Sequence, residues 1–175
     1  PGGHWAQDAV RFVTARALFQ GTGADAFSPS TPMSRAMLVT VLHRLAGVPT
    51  AEGVTFPDVE QDSWYTKAVA WANEEGIVLG TGEGFSPDVS ITRESLAAIL
   101  YRYAQKQKLD MSADGTAVAD FTDSSAISPW AAEAMGWAVA NGILTGKSGR
   151  LALSGSVSKA ESAVFVYRAL KKYIR

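Results

Sequence analysis

Apolar residues recur at helical spacing in six stretches along the chain, and the six fall into three pairs of one shorter and one longer stripe. In the second pair Ala68, Val69, Trp71 and Ala72 share one face of a helix opening at Trp64, with Asp62 or Ser63 as N-cap and Gly76 as a left-handed stop. The third pair repeats this with Ser128 as cap, Pro129 at the first helical position and Gly142 as stop. The first keeps Trp5, Ala9, Val10 and Phe12 but has Ala17 where the others have glycine, so its helix end must be built differently or strained. The longer stripes are Leu38, Val41, Leu42 and Leu45 after Ser34, then Leu96, Ile99, Leu100 and Tyr103 after Thr92. After Ser158 the stripe reads Ser162, Phe165, Val166 and Ala169, weaker by one polar residue, and only there do Ser158 and Glu161 form a full capping box.

Between the two helices of each pair lies a glycine-rich loop, and the three loops align. Gly21, Gly80 and Gly146 begin them; Phe27, Phe85 or Leu151 follows, and eight residues later stands Arg35, Arg93 or Lys159. Trp5, Trp64 and Trp130 each precede the loop glycine by sixteen residues. Such recurrence marks an internal repeat. The copies span residues 1–50, 54–108 and 118–175, the first truncated at its N-terminal side, because it lacks room for the Phe56-x-Asp58 and Phe121-x-Asp123 elements of the other two. A helix pair with one apolar stripe cannot bury that stripe alone. The pattern therefore predicts an all-α fold of three helix-loop-helix repeats in a pseudo-threefold arrangement, with the long helices in a central bundle.

Composition removes several classes of function. A formal charge of -1 without runs of like charge leaves no electrostatic footprint for nucleic acid or an anionic membrane. With no cysteine and two histidines, a metal or cofactor site has little to be built from, and no cofactor is expected. No apolar stretch approaches the ~20 residues of a membrane span, and the opening Pro-Gly-Gly-His is no signal peptide, which suggests a mature segment or an excised part. The glycine loops lack Walker spacing, and neither a nucleophile elbow nor a pair of opposed carboxylates is evident, so catalysis has no support.

The informative residues are Arg35, Arg93 and Lys159. Each is predicted at the first position of a helix, where a cation opposes the helix dipole, and the same local fault recurs in all three copies. Together with free N–H groups of the first turn and the loop beside it, each would form an anion site, and arginine could grip a carboxylate with two hydrogen bonds. The competing reading is structural: each cation pairs with an acid such as Asp58 or Asp123 and fixes one repeat on the next. Trp5, Trp64 and Trp130 are either packing anchors or flat faces for stacking on sugar rings. Phe12, Trp71 and Trp137 belong to the buried stripe, and Arg44, Arg102 and Arg168, late in their helices, suit the dipole and read as structural.

These motifs resemble three S-layer homology motifs. The second copy carries Phe56, Asp58, Val59, Trp64, Gly76, Ile77, Gly80, Gly84, Phe85, Pro87, Ile91, Thr92 and Arg93 in the order of that family's pattern. The resemblance implies a three-pronged spindle at the bacterial cell surface, part of a larger surface protein and a monomer with its own pseudo-trimer. It implies noncovalent anchoring through an anionic secondary cell-wall polysaccharide, commonly carrying pyruvylated N-acetylmannosamine, bound in grooves between motifs. Arg35 and Arg93 would meet the carboxylate, the Trp residues and glycines such as Gly21, Gly76, Gly80 and Gly142 would shape the pocket, and Asp58 and Asp123 would order it. The copies depart from the family's T-R-A-E as Ser34-Arg-Ala-Met37, Thr92-Arg-Glu-Ser95 and Ser158-Lys-Ala-Glu161. With Lys159, Leu151 and Leu153, the third copy is expected to own the weakest groove. The alternatives are an assembly module without saccharide, which would present an apolar patch, and a catalytic domain.

Overall fold

A computed structural model describes residues 5–20, 27–52 and 56–173. Six α-helices are found among them: α1 (Gln7–Ala15), α2 (Arg35–Leu45), α3 (Thr66–Glu74), α4 (Arg93–Lys106), α5 (Ala132–Ala140) and α6 (Lys159–Tyr173). No strand occurs among the described residues, so the all-α, helix-loop-helix expectation holds. We refer to the helix pairs α1/α2, α3/α4 and α5/α6 as units 1, 2 and 3.

The two helices of a unit meet only through a few side chains, such as Trp71 with Tyr103 and Trp137 with Tyr173. The main packing is of α3 on α2, α5 on α4 and α1 on α6, so each outer helix covers the long helix of the preceding unit and the circle closes. At the N-terminal ends of the long helices the backbones interlock in a triangle. Met33 N–H donates to Val157 O at 2.8 Å, Val157 N–H to Ile91 O at 3.0 Å and Ile91 N–H to Met33 O at 2.8 Å. At the opposite end α2, α4 and α6 surround an apolar cavity of about 220 Å³ walled by Leu42, Leu100, Val166 and Leu170. The central bundle is thus locked by hydrogen bonds at one end and leaves an apolar cavity between its side chains at the other.

The caps of the long helices follow the sequence. Ser34, Thr92 and Ser158 hydroxyls accept from the N–H groups of Met37, Ser95 and Glu161, each at 3.2 Å. The reciprocal bond differs. Glu161 Oε2 accepts from Ser158 N–H at 3.0 Å, Met37 Sδ takes the same place in α2 at 3.4 Å, and Ser95 is too short to reach back. The α2 cap therefore has a sulfur version of the box expected only in α6.

The outer helices begin later than the periodicity implied. α3 opens at Thr66 after Tyr65 with no side-chain cap, so neither Asp62 nor Ser63 caps it. Pro129 starts a 3-10 turn (Pro129–Ala131) that precedes α5, and Ser128 does not cap it. The reason is a stronger acceptor elsewhere: Ser128 N–H and hydroxyl both donate to the Glu94 carboxylate of α4, at 2.8 and 3.0 Å. Ala17 adopts φ 54°, in the left-handed region where Gly76 (69°) and Gly142 (65°) sit at the other helix ends, so the strained alternative is the one realised.

Candidate interdomain grooves and their cations

Each long-helix cation clips the loop of the next unit. Arg35 Nε donates to Phe85 O at 2.8 Å and one terminal nitrogen to Leu79 O at 3.5 Å. Arg93 does the same more tightly, to Leu151 O at 2.6 Å and Thr145 O at 2.5 Å, and Lys159 Nζ donates to Gln20 O at 3.0 Å. The three stand beside aromatic rings of Phe85, Phe165 and Phe27. All are buried, Arg93 and Lys159 to 1% and 2% exposure and Arg35 to 9%.

The first-turn N–H groups are not free, which corrects the anion-site argument drawn from them. Arg35 and Ala36 N–H donate to Val89 O and Pro87 O, Arg93 and Glu94 to Gly155 O and Leu153 O, and Lys159 and Ala160 to Thr31 O and Pro29 O. With the third N–H held by the cap, the helix dipole is answered by loop carbonyls rather than by an external anion. The cations stabilise inter-unit packing through those same loops, by way of carbonyls rather than the carboxylates of Asp58 and Asp123.

Those two acids close the loops of their own units. Asp58 accepts from Phe85 and Ser86 N–H at 2.8 and 2.7 Å, and Asp123 from Leu151 and Ala152 N–H at 2.7 and 3.0 Å. The bonds from Phe85 and Ser86 hold the Asp58 carboxyl below the usual carboxylate range. An added Cβ at Gly84 would fall on the Asp58 carboxylate, so glycine there is required by close approach.

Because units are exchanged around the circle, each groove is composite. The first, about 400 Å³, is walled by Arg35 of unit 1, by Leu79, Gly80 and Thr81 of the unit 2 loop, by Ser95, Ala98 and Arg102 of α4, and by Trp130 of unit 3. We call it groove A. Groove B unites Arg93 with the 145–151 loop and with Glu161 and Arg168 of α6. Groove C, about 200 Å³, unites Lys159 with Phe19 and Gln20, with Met37 and Arg44 of α2 and with Trp64. The lysine and the Leu151 loop of the third copy thus belong to different grooves, and no groove is owned by one copy.

Trp5, Trp64 and Trp130 are 65%, 62% and 57% exposed, which excludes their role as core anchors. Trp71 and Trp137 are buried as expected, and Phe12 is half-buried under Arg16 and against Tyr167. Gly80 lines groove A, Gly76 and Gly142 end α3 and α5, and Gly21 lies outside the described residues. Arg102 and Arg44, read from sequence as structural, prove to line grooves A and C. The signal was their spacing: Ser95, Ala98 and Arg102 stand at i, i+3 and i+7, one face of α4. Arg102 has no hydrogen bond or ion pair among the described residues. Burial lowers the pKa of Arg35 and the neighbouring Arg102 charge lowers it further, while Asp58 offsets part of this.

Residues 2–36, 55–97 and 120–162 match the S-layer homology domain. The chain belongs to the S-layer homology domain family. Over 175 residues it is 29% identical to S-layer protein sap of Bacillus anthracis, covering 99% of this chain and 21% of that protein. It is 29% identical over 171 residues to exoglucanase XynX of Acetivibrio thermocellus and 30% identical over 172 to an amylopullulanase of Thermoanaerobacterium thermosulfurigenes. These matches cover 97% of this chain in both cases and 16% and 9% of the two proteins. The chain thus spans about a fifth or less of the length of these relatives. S-layer homology domains serve surface anchoring; this one is a module of the bacterial cell surface, and its relatives include both S-layer proteins and enzymes. No helix among its described residues is long and apolar enough to cross a membrane.

Proposed function

We propose that this S-layer homology domain fastens its parent protein noncovalently to the cell wall by binding an anionic secondary cell-wall polysaccharide, with a pyruvylated N-acetylmannosamine unit seated in a groove between units. It acts as a monomer that supplies its own threefold and has no catalytic activity. The observation that carries this reading is groove A, where two arginines converge beside an exposed indole. A pyruvate ketal presents a carboxylate on a sugar ring, and such a ligand matches a guanidinium for the charge and a flat aromatic face for the ring. Gly80, at the groove wall, has no side chain because Phe56 and the Gly84 carbonyl pack where one would stand. An assembly surface would instead gather apolar side chains.

Calorimetric titration of the folded chain with wall polysaccharide fragments, with and without the pyruvyl group, tests this. Saturable binding of the pyruvylated form alone is expected. Equal binding of both forms would remove the carboxylate from the recognition, and binding of neither would remove the saccharide reading.

A further inference from the structure

We propose that groove A is one half of a longer site, and that a second cavity beside Trp130 holds the next sugar of the polymer, an uncharged one, through Glu133 and Gln105. The proposal rests on the saccharide reading above and extends it from one sugar to two.

The second cavity, about 360 Å³, adjoins the first: Ala98, Arg102 and Trp130 line both. Beyond that shared wall it is bounded by Tyr101 and Gln105 of α4 and by Glu133 of α5. Its size lies within the range of small-ligand sites, roughly 300–1,000 Å³. The arrangement follows from spacing. Ala98, Tyr101, Arg102 and Gln105 stand at i, i+3, i+4 and i+7 and share one face of α4, on which α5 packs. The 3-10 turn from Pro129 sets Trp130 across from that face, and Glu133 follows in the first turn of α5, where an acid suits the helix dipole. A ligand that fills both cavities passes along one indole and one guanidinium.

The polar groups of the second cavity are held in place yet unsaturated. Tyr101 packs edge-on against the buried Trp137, ring centroids 5.6 Å apart, and its hydroxyl donates to Glu133 Oε2 at 3.3 Å. Burial raises the Tyr101 pKa, and the Glu133 charge and hydrogen bond raise it further, so the phenol stays protonated. Glu133 Oε1 and the Gln105 side-chain amide have no hydrogen bond among the described residues. A carboxylate that accepts, a guanidinium that donates and an amide that does both match adjacent sugar hydroxyls, each of which donates and accepts. The indole offers its flat face to the ring. The Glu133 charge repels a second carboxylate, so the pair of cavities reads a charged sugar next to a neutral one. At the positions of Gln105 and Glu133, groove C has Gly47 and Lys67, which supply neither group. On the α1/α6 side they are Lys171 and Asp8, and Lys171 Nζ lies 5.3 Å from the centroid of the Tyr167 ring. The amide and the acid occur together only beside groove A.

The probes are the methyl glycoside of pyruvylated N-acetylmannosamine and two disaccharides that carry an uncharged N-acetylglucosamine on one or the other side of that unit. Each is titrated into the isotope-labelled chain and followed by NMR at the indole N–H of Trp130, which lines both cavities, so that the affinity read belongs to this site. One of the disaccharides is expected to bind about tenfold tighter than the single sugar. Glu133→Ala and Gln105→Ala alter exposed side chains, with melting temperatures recorded to verify folding, and the double variant should abolish that gain. Glucuronic acid in place of N-acetylglucosamine should give no gain with the wild type and recover it with Glu133→Gln. Equal affinity for the single sugar and both disaccharides, or a gain that survives the double substitution, would overturn the second site while leaving the first intact. A gain from the glucuronic acid probe with the wild type would overturn the selection of an uncharged sugar. No binding of any probe by the folded chain would remove the saccharide reading and the second site with it.

Discussion

Grooves A and B share a backbone and an arginine at the same helix start, yet they use the arginine differently. Arg93 is spent entirely on its surroundings: two short bonds to Leu151 and Thr145 carbonyls and the Glu161 charge at 3.7 Å. Arg35 makes one good bond and one of 3.5 Å, and the charges near it are those of Arg102 and Asp58. The difference lies in the neighbour at the third helix position, not in the arginine itself. A repeated basic residue thus has two uses, as a bolt between units and as a charge offered to a ligand, and how far the local partners satisfy it sets the balance.

The largest effect that could break this contrast is on stability. Arg93→Ala leaves two buried carbonyls unanswered and removes a partner from Glu161, and is expected to cost about 3–5 kcal/mol, the range for breaking a buried ion pair from one side. Arg35→Ala loses one strong charged hydrogen bond and is expected to cost about 1.5–3 kcal/mol. Urea unfolding with unchanged m-values measures both. Equal losses would mean that Arg35 is as fully committed to packing as Arg93.

A second, smaller effect concerns acid. Burial raises the Glu161 pKa, but the hydrogen bonds from Lys147 and Ser158 N–H and the charges of Lys147 and Arg93 outweigh it, so its net shift is downward. A carboxyl with a depressed folded-state pKa contributes stability that is complete above the ordinary carboxylate range and fades as pH falls through the folded value. Wild-type stability should therefore fall between about pH 5 and pH 2, more steeply than that of Glu161→Gln. At pH 7 the glutamine variant should be less stable by about 1 kcal/mol, and the two curves should converge in acid. Parallel curves would show that the Glu161 charge is not held by groove B.

Much of the architecture was legible because helical periodicity, serine and threonine caps and stop glycines are local signals, and three copies of each reinforce one another. The pairing of loops with cations was not. An apolar face records that a helix is covered but not by which helix, so the exchange of α3 onto α2 and onward around the circle left no trace in any one copy. The first-turn N–H groups were misjudged for the same reason, since their acceptors lie in another unit. The three tryptophans stood outside the periodic face, just before the regular helix begins, where spacing carries no information on burial. Arg102 was readable from its i+7 relation to Ser95, but only once α4 was known to line a groove.

The smallest effect asks whether the grooves differ in side chains alone. If the backbone is common to all units, the turn that ends α3 and α5 at Gly76 and Gly142 must also be imposed on unit 1, and Ala17 at φ 54° shows that it is. A left-handed alanine costs roughly 1–2 kcal/mol, part of which glycine would return through the freedom of the unfolded chain. Ala17→Gly should therefore stabilise the chain by about 0.5–1 kcal/mol, a rise in urea midpoint at constant m. It should leave saccharide affinity unchanged, since groove A takes no residue from α1 or its end. A destabilised variant would mean that the first turn is held by contacts of the Ala17 methyl. Unit 1 would then differ from the others in backbone energetics, and the contrast between grooves could no longer be assigned to Ser95 and Glu161 alone.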